Sequence, residues 1–216
     1  MITVSALRWV PEAARGLVRD LRVRWALEEA GLPYEVWRLG QNDKETGNYL
    51  ALQPFGQVPA YEEDGFVLFE SGAIVHHIAA KSETLMPRDE KARARALTWM
   101  FAALNSIEPH VQNLMALDLF HAGQDWAQQR RPAALQLAQS RLDALSKWLE
   151  NRDYLEDRFT AADLLMTTVL RIPRHCDLVT SMPVLERYRL RCEARPAFCR
   201  ALAAQMADFE DAPAAA

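Results

Sequence analysis

Two short stretches of this 216-residue chain have the residue types and spacing of a ligand grip, and a third stretch lacks what chemistry there would need. The first is Gln53-Pro54-Phe55-Gly56-Gln57-Val58-Pro59. A cis peptide before Pro59 would turn the N–H and C=O of Val58 outward, where an extended peptide-like ligand could bond them as another strand would. The plainer alternative is that Pro59 only begins a strand where its missing donor is harmless. The second stretch is Glu70-Ser71, just ahead of the helix-spaced apolar residues Ile74, Val75 and Ile78. Unpaired N–H groups and the positive dipole end of a helix start attract anions, although Ser71 also serves as a plain N-cap. The third stretch, residues 6–33, contains no tyrosine, serine, threonine or cysteine.

The elements that would position these residues follow from periodicity. Ile2–Leu7 is an apolar run that reads as a buried first strand. Leu17, Leu21 and Trp25 recur every fourth residue from Ala14 onward, and Ala30-Gly31 followed by Pro33 supplies the stop, which predicts one helix. Tyr34–Leu39 alternates like a strand. After a polar loop and a short helix near Tyr49, residues 58–62 and 66–69 flank Asp64-Gly65, a turn pair suited to the positive φ of a tight hairpin. Ser71 then caps a helix. Past a charged linker at 81–89 the pattern is wholly helical, with a stripe through Leu97, Met100, Leu104, Ile107, Val111 and Leu114 in which Pro109 predicts a kink. Further helices are predicted through Leu135 to Leu149, 161–171, 184–195 and 197–207, and the Ala-rich end from Asp211 reads as frayed. The expectation is a small α/β domain at 1–81 and an all-α domain at 90–210, with a ligand pocket between them.

Composition narrows the function. A net charge of −4 gives no basic field for nucleic acid or an anionic membrane, and no window is apolar enough to span a bilayer. The N-terminus has no secretory h-region. Cys176, Cys192 and Cys199 form no CxxC pair and read as buried thiols of a reduced, cytoplasmic protein. The five histidines, at 76, 77, 110, 121 and 175, show no metal spacing, so no metal is expected.

In order and spacing these motifs resemble the cytosolic glutathione transferase family, across nearly the whole chain. Gln57-Val58-Pro59 stands where that family opens its third strand, and Glu70-Ser71 stands at its fourth-strand-to-helix turn. The run from Ala26-Leu27-Glu28-Glu29 to Glu35 is similar to the end of its first helix and the start of its second strand. Thr160-Ala161-Ala162-Asp163 is similar to its N-capping box, a folding device, and Asn105-Ser106-Ile107-Glu108-Pro109 to a stretch on its long helix. The resemblance implies a thioredoxin-like N-terminal domain, an all-α C-terminal domain and a cis peptide before Pro59. It also implies glutathione as co-substrate, a hydrophobic electrophile as second substrate, and a homodimer. Val58 would then bond the cysteinyl backbone, Ser71 the γ-glutamyl carboxylate and Glu70 its ammonium, with Gln57 a weaker contact and the choice between Asn105 and Glu108 as a further contact left open. Met100, Met115, Phe120 and Trp126 would shape an electrophile pocket or simply fill the core.

The family lowers the thiol pKa with a Tyr, Ser or Cys in the first strand-to-helix loop, because the thiolate is the nucleophile. Here that position falls near Gly16-Leu17, which have no side-chain donor. What remains is Trp9, Glu12, Arg15, the N–H groups of the helix start, and Ser5 upstream. Arg15, Arg19 and Arg22 are spaced to share one face, which is either a charge source for a thiolate or a solvated basic face. The first reading is a transferase. The alternatives are another glutathione-dependent reaction (isomerisation, dehalogenation, weak peroxide reduction) and a non-catalytic interaction module.

Overall fold

The computed structural model describes residues 1–211; the Ala-rich end read as frayed lies almost wholly beyond them. Contacts divide the chain into two compact units, Met1–Leu85 together with the stretch from Arg195, and Met86–Ala194.

The first unit is built on a four-stranded mixed sheet in the order β2-β1-β3-β4. Strand β1 (Ile2–Leu7) lies parallel to β2 (Tyr34–Leu39), joined through helix α1 (Asp20–Ala30), while β3 (Tyr61–Glu63) is antiparallel to β1 and to β4 (Phe66–Leu68). Asp64 (φ 52°) and Gly65 (φ 85°) make the hairpin turn with the positive φ angles expected of that pair. Register then determines which loops meet. Val4 faces Tyr61 and Tyr61 faces Leu68, so the exit of β1, the approach to β3 and the exit of β4 share one end of the sheet. The short helix α2 (Gly47–Leu50) precedes the approach to β3, and α3 (Ser71–Ala79) follows β4.

Helix α1 begins later than its apolar spacing predicts. Gly16 takes φ 76°, which a right-handed helix cannot accommodate, so residues 8–19 form a long loop with a 3-10 turn at Glu12–Ala14. The helix is also buried nearly all round, including its charged residues Asp20, Arg22 and Arg24. The cover is α9 (Pro196–Ala207), which sets Phe198 edge-on against Trp25 at 4.8 Å. Arg24 Nε donates to Asp20 at 2.8 Å, Gln205 Nε2 donates to the other Asp20 oxygen at 2.7 Å, and Arg24 pairs with Asp208 at 2.7 Å. Nearer the helix end, Arg195 and Arg200 pair with Glu29 and Glu28.

The second unit is helical: α4 (Glu90–Phe101), α5 (Glu108–Leu119), α6 (Asp125–Leu149), α7 (Ala161–Leu170) and α8 (Pro183–Glu193). Between α4 and α5 the chain stays helical through a π-turn at Ala102–Ile107. Pro109 has no N–H for the carbonyl of Asn105, and the wider turn takes up that interruption. Helix α7 is apolar and buried on all sides, with its capping box formed: Asp163 accepts from the N–H of Thr160 at 2.9 Å, and also from Leu155 N–H and the Tyr188 hydroxyl. The thiols depart from expectation, for only Cys192 is buried; Cys176 is half-buried and Cys199 exposed, since it falls on the outer face of α9.

Candidate functional site

The loop ahead of β3 is held from beneath by a buried relay. Ala60 N–H donates to Ser5 Oγ at 2.7 Å, Ser5 Oγ lies 2.8 Å from Tyr49 Oη, and Tyr49 O–H donates to the Gln57 carbonyl at 2.6 Å. Burial pushes the Tyr49 phenol up, which keeps it a donor. From the other side the buried Gln53 accepts from Phe55 N–H at 2.7 Å and Gln57 N–H at 3.2 Å. Both flanks of Val58-Pro59 are thus tied down, and the peptide between them is cis. Among the described residues, nothing bonds the N–H or C=O of Val58. Those two groups are the unused backbone pair that the residue types suggested. Gln57 contributes its backbone to the bracing, and its side chain is exposed.

At the exit of β4, Glu70 rather than Ser71 occupies the N-cap of α3, with φ 67° and ψ 109°. That is a strained conformation for a residue with a Cβ, costing on the order of 1–3 kcal/mol, and such strain collects at binding sites. It turns the chain sharply into α3 and leaves the N–H groups of Ser71, Gly72 and Ala73 without a partner in the protein. Ser71 is the first helical residue and is buried, while Glu70 is exposed.

Arg22 stands behind Ser71. It is 4% exposed, and its Nη1 donates to Ser71 Oγ at 3.3 Å. This overturns the solvated-face reading for Arg22. With the oxygen receiving a charged donor, the serine O–H is left to donate outward, and a buried guanidinium lies beside four N–H or O–H donors. The arrangement is suited to a carboxylate. The sequence groups Arg22 with Arg15 and Arg19 on one face open to a solvated reading; the signal that could have found it is its place in the first turn of the helix.

The remaining candidates are placed as follows. Ser5 is 1% exposed and engaged on both sides by the relay, so it is withdrawn as a partner for a thiol. Trp9 is half-buried, and Gln41 donates to its carbonyl at 3.2 Å. Arg15 precedes α1, where its guanidinium donates to the Glu210 carbonyl at 3.1 Å and lies over the Phe209 ring. Arg19 is the half-buried residue before α1. Asn105 is exposed on the π-turn of the helical unit. In that unit Met100 is core, whereas Phe120 and Trp126 are exposed.

Comparison with known proteins agrees over both halves. The family model of the glutathione S-transferase N-terminal domain matches residues 13–80, and that of the C-terminal domain matches 76–196. Glutathione S-transferase 3 of Zea mays is 33% identical over 202 residues, covering 85% of this chain and 88% of its own. A probable maleylacetoacetate isomerase of Drosophila melanogaster is 28% identical, with 82% and 80% covered. A glutathione transferase from Burkholderia graminis, solved with two glutathione molecules bound per subunit, superposes with a TM-score of 0.80 at 26% identity, covering 93% of this chain and 87% of that one.

Proposed function

Since this chain belongs to the glutathione S-transferase family, we propose that it binds glutathione at the shared end of the β1, β3 and β4 strands and transfers the thiolate to hydrophobic electrophiles. The observation that carries the reading is the set of unused donors there: the Val58 backbone pair, the three N–H groups opening α3, and the Ser71 hydroxyl backed by Arg22. In this reading Val58 bonds the cysteinyl backbone in strand fashion. Ser71 and the α3 start take the γ-glutamyl carboxylate, and exposed Glu70 pairs the ammonium. Glutathione bound to the Burkholderia relative supports the ligand class.

No hydroxyl or thiol lies in residues 6–33, so the thiolate rests on charge and backbone dipoles. The positive dipole end of α1 and the Arg15 guanidinium in the loop before it are the charge sources this reading assigns. The chain works as a cytoplasmic homodimer. A second reading, glutathione-dependent isomerisation, is favoured by the Drosophila relative. Calorimetric titration with glutathione tests the core of the proposal, together with initial rates on an aryl halide and on a cis-enone acid. Binding with aryl transfer supports the transferase, binding with isomerisation alone supports the second reading, and no binding overturns both.

A further inference from the structure

The loop at 8–19 is tethered both to its own neighbourhood and to the far end of the chain. Local tethers include Arg8 N–H to the Leu39 carbonyl, Arg8 Nη2 to the Arg38 carbonyl at 3.2 Å and Gln41 to the Trp9 carbonyl, besides the tight turns inside the loop. Further tethers reach it from the far end of the chain. Gln205, 1% exposed at the end of α9, donates through Nε2 to the Val18 carbonyl at 3.1 Å and to Asp20 at 2.7 Å. Glu210 N–H donates to the Arg8 carbonyl at 2.8 Å, and the Glu210 carbonyl accepts from Arg15 at 3.1 Å. Phe209 lies under the Arg15 guanidinium, and Arg38 stands 3.9 Å from the Glu210 carboxylate. Residues 205–210 thus grip the loop at its entry (Arg8), middle (Arg15) and exit (Val18 and Asp20).

From this geometry we infer that the C-terminal segment 205–210 is a positioning strap for the thiol-stabilising loop, with Gln205 its principal positioning residue. The inference rests on the glutathione reading given above. A loop with Gly16 in the left-handed region has many conformations to lose, and donors act on a thiolate without reorganisation only when fixed beforehand. Without its hydroxyl, this chain depends on that fixing more than a serine-bearing relative would. The strap touches none of Val58, Glu70 or Ser71, so it acts on the thiol end of the ligand and not on its γ-glutamyl end.

The test uses Gln205→Leu, close to the native volume, and truncation after Ala207, which removes the tail while keeping α9. Circular dichroism and the thermal midpoint establish folding. Hydrogen exchange of the 9–19 amides should quicken at least about tenfold in both variants. The thiol pKa of bound glutathione should rise by about one unit, while affinity for S-methylglutathione, which has no thiol to ionise, stays within about threefold of the parent. Unchanged exchange in the loop, or faster exchange with an unmoved or lowered thiol pKa, would overturn the strap. If the parent protein binds neither ligand, the glutathione reading fails by itself, and quickened loop exchange would still support the strap while unchanged exchange would overturn it.

Discussion

Replacing Arg22 with Met separates the binding role from mere support. The buried guanidinium donates to Ser71 at 3.3 Å, a long charge-assisted bond, and bonds to charged groups contribute about 1.5–3 kcal/mol. Taking the lower half of that range, glutathione affinity should fall about 10- to 40-fold. Met fills similar volume without bringing a charge, so the fold should hold, with a thermal midpoint within a few degrees of the parent. Calorimetry should be run with glutathione and with γ-aminobutyryl-cysteinyl-glycine, which lacks the γ-glutamyl carboxylate. The loss should appear for glutathione and be no more than about threefold for the analogue. Equal losses for both ligands would mean that Arg22 only supports the fold, and no loss for either would refute the carboxylate assignment.

Ser5→Ala strips the relay beneath Val58-Pro59, leaves the buried Ala60 N–H unbonded and costs about 1–3 kcal/mol of stability by chemical denaturation; the bound thiol pKa should not move, and if it rose Ser5 would have to be restored as the activator. Thr160→Ala breaks the capping box of a wholly buried helix, and a loss of about 2 kcal/mol should lower the thermal midpoint by about 4–8 °C. Lys81, then Tyr61 and His77, hold the Glu63 carboxyl at about 2, below its ordinary 4.5. Because the folded pKa is the depressed one, that stabilisation is complete above about pH 4.5 and is lost as pH falls toward 2. Glu63→Gln should therefore melt below the parent at pH 7, and the gap should close near pH 2.5, a gap independent of pH being the contrary result.

How far the sequence could be read depended on how local the causes were. Strands β1 and β2 fall at the bounds that alternation and apolar runs predict, because each pleat is decided by its own residues. The start of α1 was misplaced, since Leu17 keeps helical spacing while Gly16 breaks the backbone. Ser71 looked like the cap because serine favours that place, yet the sharp turn out of β4 puts Glu70 there and moves Ser71 into the helix. The relay through Ser5, Tyr49 and Gln57 and the pairing of Arg22 with Ser71 join residues 44 and 49 positions apart. The grip of Gln205 on Asp20 spans 185 positions. No periodicity records such pairs, so α9 read as one more helix of the C-terminal half when it packs with the N-terminal unit.

The central claim is that this chain ionises glutathione without a hydroxyl or thiol of its own. Ultraviolet titration of the thiolate, with glutathione bound at saturation, tests it most directly. The expected result is a thiol pKa at least one unit below that of free glutathione, shifted back by Gln205→Leu and unmoved by Ser5→Ala. A bound thiol that titrates with the free one would contradict it and leave a glutathione-holding protein with no conjugating power.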